Sequence, residues 1–189
     1  MSEIPDLNRE IDAALSSDCP IGRSDVVTWI IQATDLVTLS KLYRLTGESY
    51  YRIEPELGSE ITCSLILRYF LECIKQDSTD NDEILGRWEA ADTLHMWLRQ
   101  LLNNELTAVV SSAAQEITSL YLASGDEVRT ALEQGFLEHA LETAAIRPFF
   151  EHWSTNEELR EAWRAALEWG LAHADFMWNL RMKNPSNQS

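Results

Sequence analysis

The chain has 189 residues, 45% hydrophobic and 24% charged, and its seven Trp, five Tyr and five Phe supply too much apolar surface for a disordered chain. Seven Gly and five Pro make up about half the usual share, too few for the turns of a sandwich or barrel. Fifteen basic against 31 acidic residues leave a net charge of −16, which repels nucleic acid and anionic membrane surfaces and attracts a basic protein partner.

Residues 1–23 read as a polar, loosely attached leader with one short helix around Leu7 to Leu15. The opening MSEIPDLNREIDAAL has no basic n-region and no apolar h-region, so no signal peptide is expected. Ser24 is placed as the cap of a helix carrying Val26, Val27, Ile30, Ile31, Leu36, Leu39 and Tyr43, with Gly47 as its stop. Glu48 to Glu54 reads as a loop or one isolated short strand. Pro55 suits the first turn of the next helix, which carries Ile61, Leu65, Ile66, Tyr69, Phe70, Cys73 and Ile74 to about Gln76. Being apolar on most sides, that helix is expected at the centre of the core.

After the polar run 77–82, Asp80 and Glu83 are spaced as a capping box. The helix behind them places Ile84, Trp88, Ala91, His95, Leu98 and Leu102 on one stripe. Asn103-Asn104 is a turn signal, and Val109, Val110, Ala113, Ile117 and Tyr121 mark the following helix. A second box, Ser124 with Glu127, opens a helix through Val128, Leu132, Phe136 and Ala140 that Pro148 ends near Arg147. Thr155 with Glu158 opens the last helix, which carries Leu159, Trp163, Leu167, Gly170, Ala174 and Met177 on one side and Trp169, His173, Phe176 and Leu180 beside it.

The expected fold is therefore all-α, a compact multi-helix bundle of about six or seven helices. One helical domain is expected over 24–182, with subdivision points near 77–82 or 103–105 and a polar tail at 183–189. No run of about 18 apolar residues offers a membrane span.

Chemistry-bearing motifs are sparse. Cys63 and Cys73 lie on one helix about 15 Å apart along its axis, too far for a disulfide, and Cys19 stands alone. Three thiols without such pairing fit a reducing, cytoplasmic setting. Asp92-x-x-His95 and His139-x-x-Glu142 have helical spacing that can place two ligands together, but Glu-x-x-His is absent and His95 falls in a core stripe. No Gly-x-Ser-x-Gly or Gly-rich phosphate loop occurs. No catalytic residue, metal or cofactor is assigned.

The most distinctive feature is a charge gap. Between Gln100 and Ile146, Arg129 stands alone against Glu105, Glu116, Asp126, Glu127, Glu133, Glu138 and Glu142. Glu127, Glu138 and Glu142 are expected to face away from Val128, Leu132 and Phe136, forming a docking face for a basic partner. Gly135, inside a helix, predicts close approach of another helix, because glycine there costs about 1 kcal/mol against alanine. Phe149, Phe150, Trp153, Trp163 and Trp169 read as core; exposed, they would serve a partner or a homodimer.

Residues 124–139, Ser-Gly-Asp-Glu-Val-Arg-Thr-Ala-Leu-Glu-Gln-Gly-Phe-Leu-Glu-His, sit in a small acidic chain and resemble immunity-type proteins of bacterial polymorphic toxin systems. The resemblance covers the C-terminal half. It implies a cytoplasmic protein that binds and neutralises a cognate toxin, and it carries over no functional residue. The leading expectation is a non-enzymatic, acidic protein-binding module. The alternatives are a metal-binding or enzymatic bundle using Asp92/His95 and His139/Glu142, and a homo-oligomeric structural protein.

Overall fold

The computed structural model describes residues 7–78 and 81–183, with side chains described as far as 174. Asp80, the side chains of Phe176, Met177 and Leu180, and the tail beyond Lys183 lie outside the described residues. Two compact units divide the chain, residues 1–86 and 87–189. Both are helical, and among the described residues strand is confined to two pieces of two residues each. The helices outnumber the six or seven expected because two of the anticipated elements are each divided and a short extra helix forms at Arg147–Phe150.

In the first unit, α1 (Leu7–Leu15) buries Ile11 completely and packs on the helix over residues 36–48. The expected helix from Ser24 to Gly47 is two: α2 (Arg23–Gln32) and α3 (Leu36–Glu48). The break has a physical cause at Ala33–Asp35. The Arg68 guanidinium, from a later helix of the same unit, donates to the carbonyls of Ile30 and Ala33, ending α2. Asp35 then caps α3, accepting from the Thr38 N–H at 2.9 Å and the Thr38 hydroxyl at 2.7 Å. Ser24 lies inside α2 and makes no cap, and Gly47 lies inside α3.

A 3-10 turn, Tyr50–Arg52, leads into β2 (Ile53–Glu54), which pairs in parallel with β1 (Ile21–Gly22). Pro55 does not open a helix. It follows β2 through a cis peptide bond, and α4 (Ser59–Gln76) starts only after Gly58, whose φ of 86° glycine adopts without strain. Along α4, Cys63, Leu65, Leu67, Tyr69, Phe70, Cys73 and Ile74 are buried, but the element at the centre of this unit is α3, which packs on α1, α2 and α4. Tyr69 stacks on Tyr43 at 4.5 Å, and its hydroxyl accepts the Leu85 N–H. The expected leader is held by Arg52, only 7% exposed, which donates to the carbonyls of Ala14 and Cys19 and to Ser49 Oγ.

The second unit runs α5 (Arg87–Asn103), α6 (Thr107–Ala123), α7 (Asp126–Thr130), a π-helical segment (Ala131–Leu137), α8 (Glu138–Glu142), α9 (Arg147–Phe150), a 3-10 turn (Glu151–Thr155) and α10 (Arg160–Lys183). Because α5 opens at Arg87, Ile84 sits in the preceding turn, and Trp88 is half exposed while Ala91, His95 and Leu98 are buried. Gly125, not Ser124, is the N-cap of α7. The helix expected to reach Arg147 ends at Glu142, where Thr143 turns extended and Arg147 Nε donates to the Leu141 carbonyl at 2.7 Å. Pro148 therefore sits in the first turn of α9, where its missing N–H costs nothing. The Thr155–Glu158 box is not made: the Thr155 hydroxyl donates to the His152 carbonyl, and Asn156 Oδ1 accepts the Glu158 N–H.

Gly135 lies in the π-helical segment, whose wider turn shows in the Glu138 N–H donating to the carbonyl of Glu133, five residues back. A Cβ at Gly135 would stand 3.0 Å from Ala91 Cβ and 3.3 Å from the Trp88 ring. The close approach expected from the sequence is thus made by α5. Phe150 and Trp153 are fully buried and Trp163 is 9% exposed; Trp153 Nε1 donates to Thr118 Oγ1 at 2.8 Å.

Candidate functional site

The carboxylates expected to form one outward face are not equivalent. Glu127 is exposed and pairs with Arg87 at 3.0 Å. Glu138 is half-buried, and desolvation pushes its carboxyl above the usual range, with Glu133 adding to the rise and His139 opposing it. Glu142 turns towards the protein rather than away from it. Its Oε1 accepts from His139 Nδ1 at 3.0 Å and lies 3.0 Å from His173 Nδ1 of α10. The second contact is off the hydrogen-bond direction, which leaves His173 Nδ1 buried without a hydrogen bond.

Backbone packing produces that convergence. Gly170 of α10 meets the main chain of α8: a Cβ there would stand 3.0 Å from the Glu138 oxygen and 3.0 Å from the Glu142 nitrogen. With the helices this close, His173, three residues further along α10, reaches Glu142. Trp169 lies between the two histidines, 4.8 Å from His139 edge-on and 4.8 Å from His173 in a stack.

On its other side His139 faces His95 of α5, with ring centroids 5.3 Å apart. The pairs Asp92/His95 and His139/Glu142, read separately from the sequence, therefore adjoin, and His173 joins them. His95 is 8% exposed; its Nδ1 stands 3.4 Å from Asp92 Oδ1 but makes no hydrogen bond. Burial lowers its pKa, partly offset by Asp92. Sequence reasoning missed His173, because nothing in its spacing relates it to residues 139–142. The Gly170 approach is the signal that could have located it. Among the described residues, no group of three or more His, Cys, Asp or Glu is arranged to hold a metal ion. The chemistry available to this row is proton exchange between imidazoles and carboxylates.

The distribution of cations shapes the remaining surface. Arg129 is engaged by its own unit, donating to the carbonyls of Tyr121 and Leu122 at the end of α6, with its guanidinium 5.2 Å from the Tyr121 ring centre. Arg52, Arg68 and Arg147 serve other helix ends in the same manner. Glu105, Glu116, Asp126 and Glu127 are exposed. Two open clefts lie elsewhere: one of about 600 Å³ bounded by Arg23, Val27, Pro55 and Ile61, and one of about 320 Å³ bounded by Arg147, Pro148, Trp163 and Leu171. Cys63 and Cys73 are buried thiols and Cys19 is an exposed one, none of them in a disulfide. No helix of the described residues is long and apolar enough to cross a membrane. Comparison with protein-family models, with curated proteins and with solved structures gives no match to this chain.

Proposed function

We propose that this chain is a non-enzymatic, acidic protein-binding module that takes a basic protein as its partner, in the manner of an immunity protein neutralising a basic toxin. One observation carries the reading. Across the stretch between Gln100 and Ile146 the lone arginine, Arg129, is held by the carbonyls that end α6, while Glu105, Glu116, Asp126 and Glu127 face solvent. The field of those carboxylates speeds the approach of a cationic surface and disfavours an anionic one, so nucleic acid is no partner in this reading. A reducing, cytoplasmic setting accords with three cysteines that form no disulfide.

The docking face is drawn from the exposed carboxylates. Glu127 belongs to it, exposed although paired with Arg87; Glu138 is half-buried and Glu142 is committed to His139, so neither is counted in it. The test takes the proteins encoded beside this chain and measures association with each across a salt series. A basic one is expected to bind, with a rate that falls as salt screens the charges over about 8 Å. Reversing Glu105, Glu116, Asp126 and Glu127 to Lys together should slow that association at least tenfold. Binding with an unchanged rate and salt slope, or to acidic proteins alone, refutes the reading.

A further inference from the structure

The geometry points to an acid-operated latch in the second unit: His95, neutral, closes the seam between α5 and α8, and its protonation opens that seam. This goes beyond partner binding and stands independently of it. His95 is more than nine-tenths buried, and its Nδ1 makes no hydrogen bond, with Asp92 Oδ1 standing 3.4 Å away. A proton taken up there becomes a buried charge that faces another imidazole across the seam, with ring centroids 5.3 Å apart.

The surrounding groups decide the sign. From α5, Asp92 favours the charged form and Arg99 opposes it; Asp92 is half exposed at 3.4 Å and compensates only in part. From α8, His139 opposes it, with Glu138 and Glu142 beside that ring; Glu142 already accepts from His139 and lies against His173 of α10. The π-helical segment brings Glu133, which acts on Glu138 and accepts the Tyr121 hydroxyl. From α6 comes Glu116, which is exposed. Burial is the largest influence and it disfavours the charge. The open form, with His95 in water, therefore binds the proton more readily, at a pKa near 6.5. The closed form is at full strength above that pH and weakens as pH falls through about 6.5 towards the lower folded-state value.

The experiment follows amide exchange of α5 and α8 and the His95 ring resonances of the whole chain by NMR from pH 7.5 to 5. Protection factors in both helices are expected to fall by up to tenfold per pH unit below about 6.5, the slope of one proton bound on opening. In His95→Gln, which stays neutral, that slope should drop by one proton. The His95 ring should titrate below the midpoint it shows in the urea-unfolded chain. Where the variant fails to fold, the ring midpoint and the wild-type protection slope decide together. The latch is overturned by a ring midpoint equal to the unfolded one, by protection that stays constant while the ring titrates, or by a His95→Gln slope equal to the wild type's.

Discussion

Replacing Gly170 by alanine tests whether backbone contact between α8 and α10 builds the imidazole row. An added Cβ would lie 3.0 Å from the Glu138 oxygen, 3.0 Å from the Glu142 nitrogen and 3.1 Å from the Leu141 carbonyl carbon, where ordinary contacts begin at 3.4 Å. All three atoms are main chain, so a whole helix must yield by a few tenths of an ångström. Overpacking of this kind costs about 1–3 kcal/mol. Against it stands a gain of about 0.8–1.0 kcal/mol from the better helix propensity of alanine. The net expectation is a loss of up to about 2 kcal/mol, lowering the melting temperature by about 4–8 °C per kcal/mol for a unit of about 100 residues. Gly47 is the matched control: it lies inside α3 with nothing within 4 Å of an added Cβ, so Gly47→Ala should raise stability by about 0.5–1 kcal/mol. Thermal unfolding by circular dichroism, with amide exchange of α8 to localise the effect, measures both. A Gly170→Ala protein as stabilised as Gly47→Ala would show that the two helices have room to spare and that the contact does not position His173.

Arg52→Leu removes the donor that ties the carbonyls of Ala14 and Cys19 to the first unit, and loss of about 2–3 kcal/mol is expected with α1 amides exchanging first. Asp35→Ala removes the cap of α3 and should cost about 1 kcal/mol in urea unfolding. Burial alone would raise the Asp35 pKa, but the Thr38 N–H and hydroxyl and the Val37 N–H together hold it below the usual value. Its contribution is therefore present above pH about 3.9 and disappears as acid protonates the folded form, so the variant and wild type should converge in stability below that pH. Cys19 should react promptly with a thiol reagent while Cys63 and Cys73 react only on unfolding, as burial also raises the Cys63 thiol; rapid native labelling of all three would contradict their placement.

Local chemistry written along the chain determined the helical class, the buried stripe of α4 and the buried thiols. These follow from apolar periodicity, which each segment carries within itself. Gly135 was legible in the same way, because a helix tolerates glycine only where something offsets its cost, and α5 does so. The helix ends were not legible. Ser24 and Ser124 each had the composition of a cap, yet Gly22 and Gly125 occupy those places; Thr155 makes no box with Glu158, whose N–H goes to Asn156; and Arg68 ends α2 from a distant position. A carbonyl accepts from any donor that tertiary packing brings to it, and spacing along the chain cannot reveal a donor 38 residues away. The same reason separates the two readings of Glu142. Helical phase turned it outward with Glu127 and Glu138, but Gly170 draws α10 so close that His173 meets it, and only the packed helices place three imidazoles from α5, α8 and α10 in one row.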